Sequence, residues 1–116
     1  MKEVIIPKVI KIGCHTFKSI FFKGLIDGGT FGRTLHVQGE IMLNPSNSYS
    51  QNVVSWWHEV LHAIGAIYCS DKLEESVVDS IAEGLGQVFE EIGVKFDFSK
   101  LETASYANDC SRDKEN

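Results

Sequence analysis

Hydrophobic and polar positions alternate with a period of two through the first third of the chain, then with a period near 3.6 through the middle. Strands are therefore expected first and helices second. Val4-Ile5-Ile6 and Val9-Ile10-Lys11-Ile12, divided by Pro7, predict an extended edge segment followed by a short strand. Gly13-Cys14-His15 predicts a turn into a second strand, Phe17 to Phe22. Gly24 to Gly32 reads as a loop, with Asp27-Gly28-Gly29 as its strongest turn signal. Thr34-Leu35-His36-Val37 and Glu40-Ile41-Met42-Leu43 predict a hairpin closed by Gln38-Gly39. Alternation turns Leu35, Val37, Ile41 and Leu43 towards a core, and leaves His36, Glu40 and Met42 on the other face or rim.

Asn44-Pro45-Ser46-Asn47 then breaks the sheet. Ser48 with Gln51 fits a capping box and opens a helix over about 48–68, which Cys69-Ser70-Asp71-Lys72 closes. A second cap, Asp71 with Glu74, opens a helix over about 71–92, and Gly93 suits its C-terminal end. Val94-Lys95-Phe96-Asp97-Phe98 alternates like a short final strand. From Ser99 onward the chain is polar and mixed in charge, which predicts a single domain over 1–98 and a disordered tail over 99–116.

Composition narrows the setting. A chain of 116 residues supports one domain with one modest core, and 43% hydrophobic with 23% charged residues is ordinary for a soluble protein. A formal net charge of −5 works against non-specific binding to nucleic acid or an anionic membrane. No apolar stretch has the length of a membrane span. The start, Met1-Lys2-Glu3-Val4-Ile5-Ile6-Pro7, is too short and too quickly charged for a signal peptide. Cys14, Cys69 and Cys110 are an odd number without framework spacing, which points to a reduced, cytoplasmic setting.

The chemistry lies in His58-Glu59-Val60-Leu61-His62. On a helix, His58 and His62 stand one turn apart on one face, where both imidazoles reach one zinc ion. Glu59 sits where it can deprotonate a water, so five residues offer two metal ligands and a base. The plain alternative is two surface histidines flanking a solvated acid. Val53, Val54, Trp56, Trp57, Val60, Leu61, Ile64 and Ile67 argue against it, because they make the helix apolar around most of its circumference. Polar groups buried there without partners would each be costly, and a metal removes that cost. Cys69 lies near enough in sequence to be a lesser candidate ligand.

A catalytic zinc takes three protein ligands and keeps one position open. No histidine follows His62, Tyr68 stands where an extended metzincin pattern needs one, and no Met follows for a Met-turn, all of which argues against that class although Gly65 is in place. Gly65 instead suggests a close approach by another segment. The second helix supplies carboxylates at Glu74, Glu75, Asp79 and Glu83. Its apolar stripe reads as Val78, Ile81, Leu85, Val88 and Ile92. Glu74 lies within that stripe but has a capping task as well. Glu75 and Asp79 continue through the small residues Ala82 and Gly86, which allow close helix packing. Glu75 is therefore the expected third ligand, with Glu74 its competitor. Asp79 is placed to accept the second ring N–H of His58 or His62. Tyr68, His36 and His15 are the available donors for an oxyanion, and none is assigned.

These residues resemble the gluzincin family of metallopeptidases, which pairs His-Glu-x-x-His on one helix with an acidic pattern on the next. Here those are His58 to His62 and Glu75-Ser76-Val77-Val78-Asp79. Trp57 to Ile64, together with Glu75 through Ile81-Ala82-Glu83-Gly84-Leu85, resembles small metallopeptidase-like proteins of bacteriophages and prophages. The resemblance spans roughly residues 9–92. It implies a zincin-like α+β fold, with a small antiparallel sheet packed on two main helices. It also implies zinc, a protein or peptide substrate cut at peptide bonds, and a bacterial host cytoplasm. The chain departs from larger gluzincins in its short spacing between His62 and Glu75 and in having no substantial C-terminal subdomain.

The leading expectation is a zinc-dependent peptidase with His58, His62 and Glu75 as metal ligands and Glu59 as general base. A strand edge near Thr34–Leu43 would bind the substrate backbone. The alternative is a non-catalytic, zinc-bearing protein-interaction module, which the compact chain favours and an intact Glu59 opposes. A nucleic-acid regulator is the weakest reading, given the acidic balance.

Overall fold

The computed structural model describes residues 1–70 and 72–105. Its elements run β1 (Lys2–Ile5), β2 (Val9–Ile12), β3 (His15–Phe22), α1 (Gly24–Gly28), β4 (Gly32–Leu35), β5 (Glu40–Leu43), α2 (Tyr49–Tyr68), α3 (Glu75–Glu91), β6 (Val94–Asp97) and β7 (Glu102–Ala104). The architecture is α+β, with small sheets and two long helices.

The main sheet is mixed rather than antiparallel. Its order is β2-β3-β5-β4, with β7 also pairing β3. The β2–β3 and β4–β5 pairs are antiparallel, whereas β3 pairs parallel with both β5 and β7. Parallel pairing follows from the connections. β3 reaches β5 only through α1 and β4, and β7 enters after both long helices, so neither partner can return by a tight hairpin. A separate parallel pair joins β1 to β6, with Lys2 opposite Val94 and Ile5 opposite Asp97. The segment Gly24–Gly32, expected as loop, contains the short helix α1.

Burial on both faces makes β5 the centre of the sheet. Ile41 and Leu43 belong to the larger core beneath α2, and Met42 belongs to a smaller core with Ile20, Phe22 and Leu25. Met42 thus lies on the other face from Ile41 and Leu43, as expected, but all four residues of β5 are buried, Glu40 included, so that face is covered and not a rim. The hairpin also differs from expectation. Leu35 pairs with Glu40, leaving a four-residue connection, His36–Gly39. That register puts Leu35 on the Met42 face, and Val37 stands in solvent, 97% exposed. Gly39 is required here for a double reason. It has φ +69°, and a Cβ would collide with the Thr16 carbonyl oxygen.

α2 forms as its sequence predicts. Ser48 Oγ accepts from the Gln51 N–H and Gln51 Oε1 accepts from the Ser48 N–H, closing the capping box. Val53, Trp56, Val60 and Ala63 bury against the sheet, and Trp56 Nε1 donates to the buried Ser19 Oγ at 3.1 Å. Trp57 stacks on Phe89 and meets Phe96 edge-on, which ties α2, α3 and β6 together.

α3 begins later than expected, at Glu75. Glu74 is its N-cap residue rather than the third residue of a turn, and its side chain makes no capping bond. Asp71, the other half of that expected cap, lies outside the described residues. The helix is also rotated from the expected stripe. Val78 and Ala82 are fully buried, whereas Ile81, Val88 and Ile92 are exposed. Contact with α2 uses small residues: Gly86 has Val54 Cγ2 3.4 Å from where a Cβ would sit. Before α3, Leu73 packs on Gly65 at 3.2 Å from the corresponding position, which is the close approach that Gly65 suggested.

The chain does not become a tail at Ser99. Leu101 is buried in the larger core, and β7 adds Glu102–Ala104 to β3, with Glu102 facing Lys8 and Lys18. The remaining expected tail, 106–116, lies outside the described residues together with Cys110. Leu101→Ala should lower stability by about 2–5 kcal/mol, the range for removing a buried leucine side chain. Val37→Ala should change it by no more than about 0.5 kcal/mol. Urea unfolding of the two variants measures both; equal effects would contradict this placement of the core.

Candidate metal centre

Consecutive residues of α2 point in different directions, about 100° apart, and the site uses this directly. His58 and His62 face α3, while Glu59 faces β4. The cleft between α3 and β4 has a volume of about 670 Å³, and Thr30, Phe31, Gly32, Ser55, His58, Glu59, Glu75, Asp79 and Glu83 line it.

His58 Nε2 lies 3.0 Å from His62 Nε2. Glu75 reaches both rings, with Oε1 2.9 Å from His58 Nε2 and Oε2 3.0 Å from His62 Nε2. Asp79 Oδ1 lies 3.0 Å from His58 Nδ1. Glu75, and not Glu74, therefore meets the histidines. Asp79 occupies the outer position expected of it, one helical turn along. Cys69 instead caps α2, with its N–H on the Gly65 carbonyl, and is not in the cluster.

The proton inventory identifies what such a cluster can hold. A neutral His58 that donates Nδ1–H to Asp79 keeps a lone pair at Nε2. With both rings neutral, that lone pair faces a carboxylate oxygen and a second imidazole nitrogen, with one His62 proton at most to share among them. Three electron-pair donors converging with so few protons suit a cation. Four ligands held tetrahedrally at about 2.0–2.1 Å stand about 3.3 Å apart, within a few tenths of an ångström of the separations here. Among the described residues, this is the group of His, Cys, Asp and Glu that converges closely enough to bind a metal ion.

Glu59 is buried, 7% exposed, against the outer strand of the main sheet. Thr34 Oγ1 lies 2.6 Å from Glu59 Oε1 and 3.0 Å from the Glu59 carbonyl oxygen, its single proton being available to either. Gly32 makes the room: a Cβ there would stand 3.2 Å from Glu59 Cγ, Glu59 Oε2 and the Met42 carbonyl oxygen. The β4–β5 register places both residues correctly. Gly32 and Thr34 lie opposite Leu43 and Ile41, on the surface beneath α2. Asn44 steadies the approach to β4, donating to the carbonyls of Leu25 and Thr30 and accepting from the Ser46 N–H.

Thr34, Gly32 and Asn44 escaped the sequence reading. Their types carry no chemical signature, and only the hairpin register reveals that two of them face Glu59. Tyr68, His15 and His36, the oxyanion candidates, do not line the cleft. Tyr68 is exposed at the end of α2, and His36 belongs to the β4–β5 connection.

No family model, curated protein or solved structure matches this chain.

Burial raises the Glu59 carboxyl above its ordinary value of 4.5, against the opposing effects of the Thr34 hydrogen bond and the two histidines. A carboxyl that holds its proton more tightly when folded than when unfolded destabilises the fold once ionised. The penalty is absent well below pH 4.5, grows as pH rises, and is complete above the folded-state value. Glu59→Gln, prepared metal-free, should therefore be more stable than wild type at neutral pH, with the difference fading in acid. Denaturant unfolding across pH measures this, and a variant less stable at neutral pH would contradict it. Thr34→Val removes a donor that favours the charged carboxylate, so it should move the Glu59 titration upward in carboxyl-detected NMR.

Proposed function

We propose that the chain is a zinc-dependent peptidase of gluzincin-like design, acting on a protein or peptide substrate. One observation carries the proposal: His58, His62 and Glu75 converge on one point while Glu59, directly after the first histidine, is buried at the same cleft. A purely structural ion needs its ligands alone and has no use for a buried, destabilising acid beside them. That difference favours catalysis over a non-catalytic zinc module.

His58, His62 and Glu75 would hold the metal, with Asp79 orienting the His58 ring through Nδ1. Zinc bound there supplies a Lewis acid that polarises a carbonyl and acidifies water. Glu59 takes a proton from the attacking water as its oxygen joins the carbonyl carbon. It then delivers that proton to the nitrogen as the carbon–nitrogen bond breaks. Thr34 anchors Oε1, fixing the carboxylate so that its other oxygen handles the proton. Among the described residues no strand pairs with the outer edge of β4, on which an extended substrate can pair, and its Gly32 end opens into the cleft. β5, which also fell within the expected binding edge, is an inner strand and offers none.

The cytoplasmic setting belongs to the same proposal. Cys14 and Cys69 are free, and no helix among the described residues is long and apolar enough to cross a membrane.

Purified protein should carry zinc in a one-to-one ratio by elemental analysis. His62→Ala should lose it, and Asp79→Ala should weaken metal affinity about 10–100-fold. Glu59→Gln should retain zinc while peptide hydrolysis falls about 10²–10⁴-fold. Zinc-free wild type would overturn the metal assignment. Full hydrolysis by Glu59→Gln would overturn the role of the base alone.

A further inference from the structure

The cleft beside the metal centre is lined by acids without a matching cation. Glu59, Glu75, Asp79 and Glu83 all line it, and among the described residues no lysine or arginine does. Ionised, these four carboxylates outnumber the two positive charges of a zinc ion, so the cleft stays anionic when loaded. Three of them have partners: Glu59 meets Thr34, Glu75 meets both histidines, and Asp79 meets His58. Glu83, one turn beyond Asp79, makes no ion pair among the described residues. Lys95 shares a neighbouring cavity with Glu83 but lies over the Tyr49 ring.

A solvated acid is ordinary on its own, and Ser55 supplies an independent sign. It lies on α2 one turn before Glu59, lines the same cleft and is only 7% exposed. Its hydroxyl has no hydrogen-bond partner among the described residues. By contrast, Ser19, the other buried serine, is held by Trp56, and Ser80 donates to the carbonyl four residues back. A buried hydroxyl left unpaired is costly, and a polar group entering the cleft would pair it.

Across the cleft from α3, Phe31 stands just before β4. Asn44 N–H and Asn47 Nδ2 both donate to its carbonyl at 3.0 Å, which fixes its backbone, and the residue is 53% exposed at the cleft. A carboxylate, a hydroxyl acceptor and an aromatic ring are together suited to an ammonium or guanidinium on an apolar stem. An acidic side chain would be repelled by the same carboxylates. An apolar one would cover Glu83 and the Ser55 hydroxyl without pairing either.

We propose that this cleft selects a lysine or arginine side chain adjoining the scissile bond of a peptide substrate. Glu83 is its counter-ion, Ser55 accepts one of its N–H groups, and Phe31 covers its stem. The proposal rests on the peptidase reading for the cut itself, so binding and cleavage are measured apart.

Binding is read by NMR on the Glu59→Gln protein, titrated with acetyl-Ala-Ala-Arg-Ala-Ala-amide and its counterparts with lysine, leucine or glutamate at the centre. The arginine and lysine peptides should bind at least about tenfold more tightly than the other two, with shifts centred on Phe31, Ser55 and Glu83. Adding Glu83→Gln should lower the preference for arginine over leucine at least about tenfold, and Glu83→Lys should turn it towards glutamate. Ser55→Ala should weaken arginine binding yet keep or raise the thermal midpoint, because it removes only an unpaired hydroxyl from a helix. With wild type and a mixed peptide library, cleavage should concentrate beside lysine and arginine. Selective binding of the arginine peptide with no cleavage of any peptide would support the selection and sink the peptidase reading. Cleavage without preference for lysine or arginine would do the reverse. The selection is also overturned by no binding, by equal binding of the arginine and glutamate peptides, by an unchanged preference in Glu83→Gln, or by a lowered thermal midpoint in Ser55→Ala.

Discussion

The approach of α3 to α2 is the constraint on which the site depends. Two histidines one turn apart are common on helices. What distinguishes this pair is that Glu75 and Asp79, themselves one turn apart, are held over it at 2.9–3.0 Å. Larger side chains at the contact would widen the gap between the helices and carry the carboxylates away from the imidazoles. Ala82 and Gly86 on α3 keep that bulk small, and Leu73 packs onto Gly65 just before α3 begins. Trp57, stacked on Phe89 further along, then supplies the apolar burial that a polar contact cannot. The helices are drawn together at one end by aromatics and left close enough at the other for carboxylate to meet imidazole.

The second constraint acts through the sheet. Glu59 is buried, and burial disfavours its charge. The fold answers with one hydroxyl, from Thr34, and with space, from Gly32. Both come from β4, whose position is set by its pairing with β5, and β5 is fixed by cores on both of its faces. A shift of that hairpin by one residue would turn Thr34 and Gly32 away from α2 and leave Glu59 against Arg33 or Leu35. The uniform burial of β5 is thus what holds Thr34 and Gly32 against Glu59.

Much of this was legible in the residues and some was not, for identifiable reasons. The α2 start was readable because Ser48 and Gln51 are local signals, three residues apart. The meeting of Glu75 with the histidines was readable because helical spacing is regular and Ala82 and Gly86 mark a close contact. The α3 stripe was misread because apolar residues occupy both sides of that helix, and periodicity alone does not say which side packs. The hairpin differs from expectation because Leu35 pairs with Glu40, which lengthens the connection to four residues and carries Val37 into solvent. β7 escaped because Glu102-Thr103-Ala104 has a polar composition, and its order comes from Leu101 and from pairing with the distant β3.

The inversion of α3 explains the cost of this design. A helix in a small domain ordinarily turns its apolar stripe inward and its acids outward. Here the inner face is given partly to Glu75 and Asp79, and Ile81, Val88 and Ile92 are displaced outward. Apolar area that would have stabilised the domain is therefore left in water, while the inner face holds acceptors that need a counter-charge. Binding at the inner face would add its free energy to that of folding, because its ligands are aligned only in the folded chain. The carboxylates that define the site and the stripe that leaves the core are thus consequences of a single rotation of α3 about its axis.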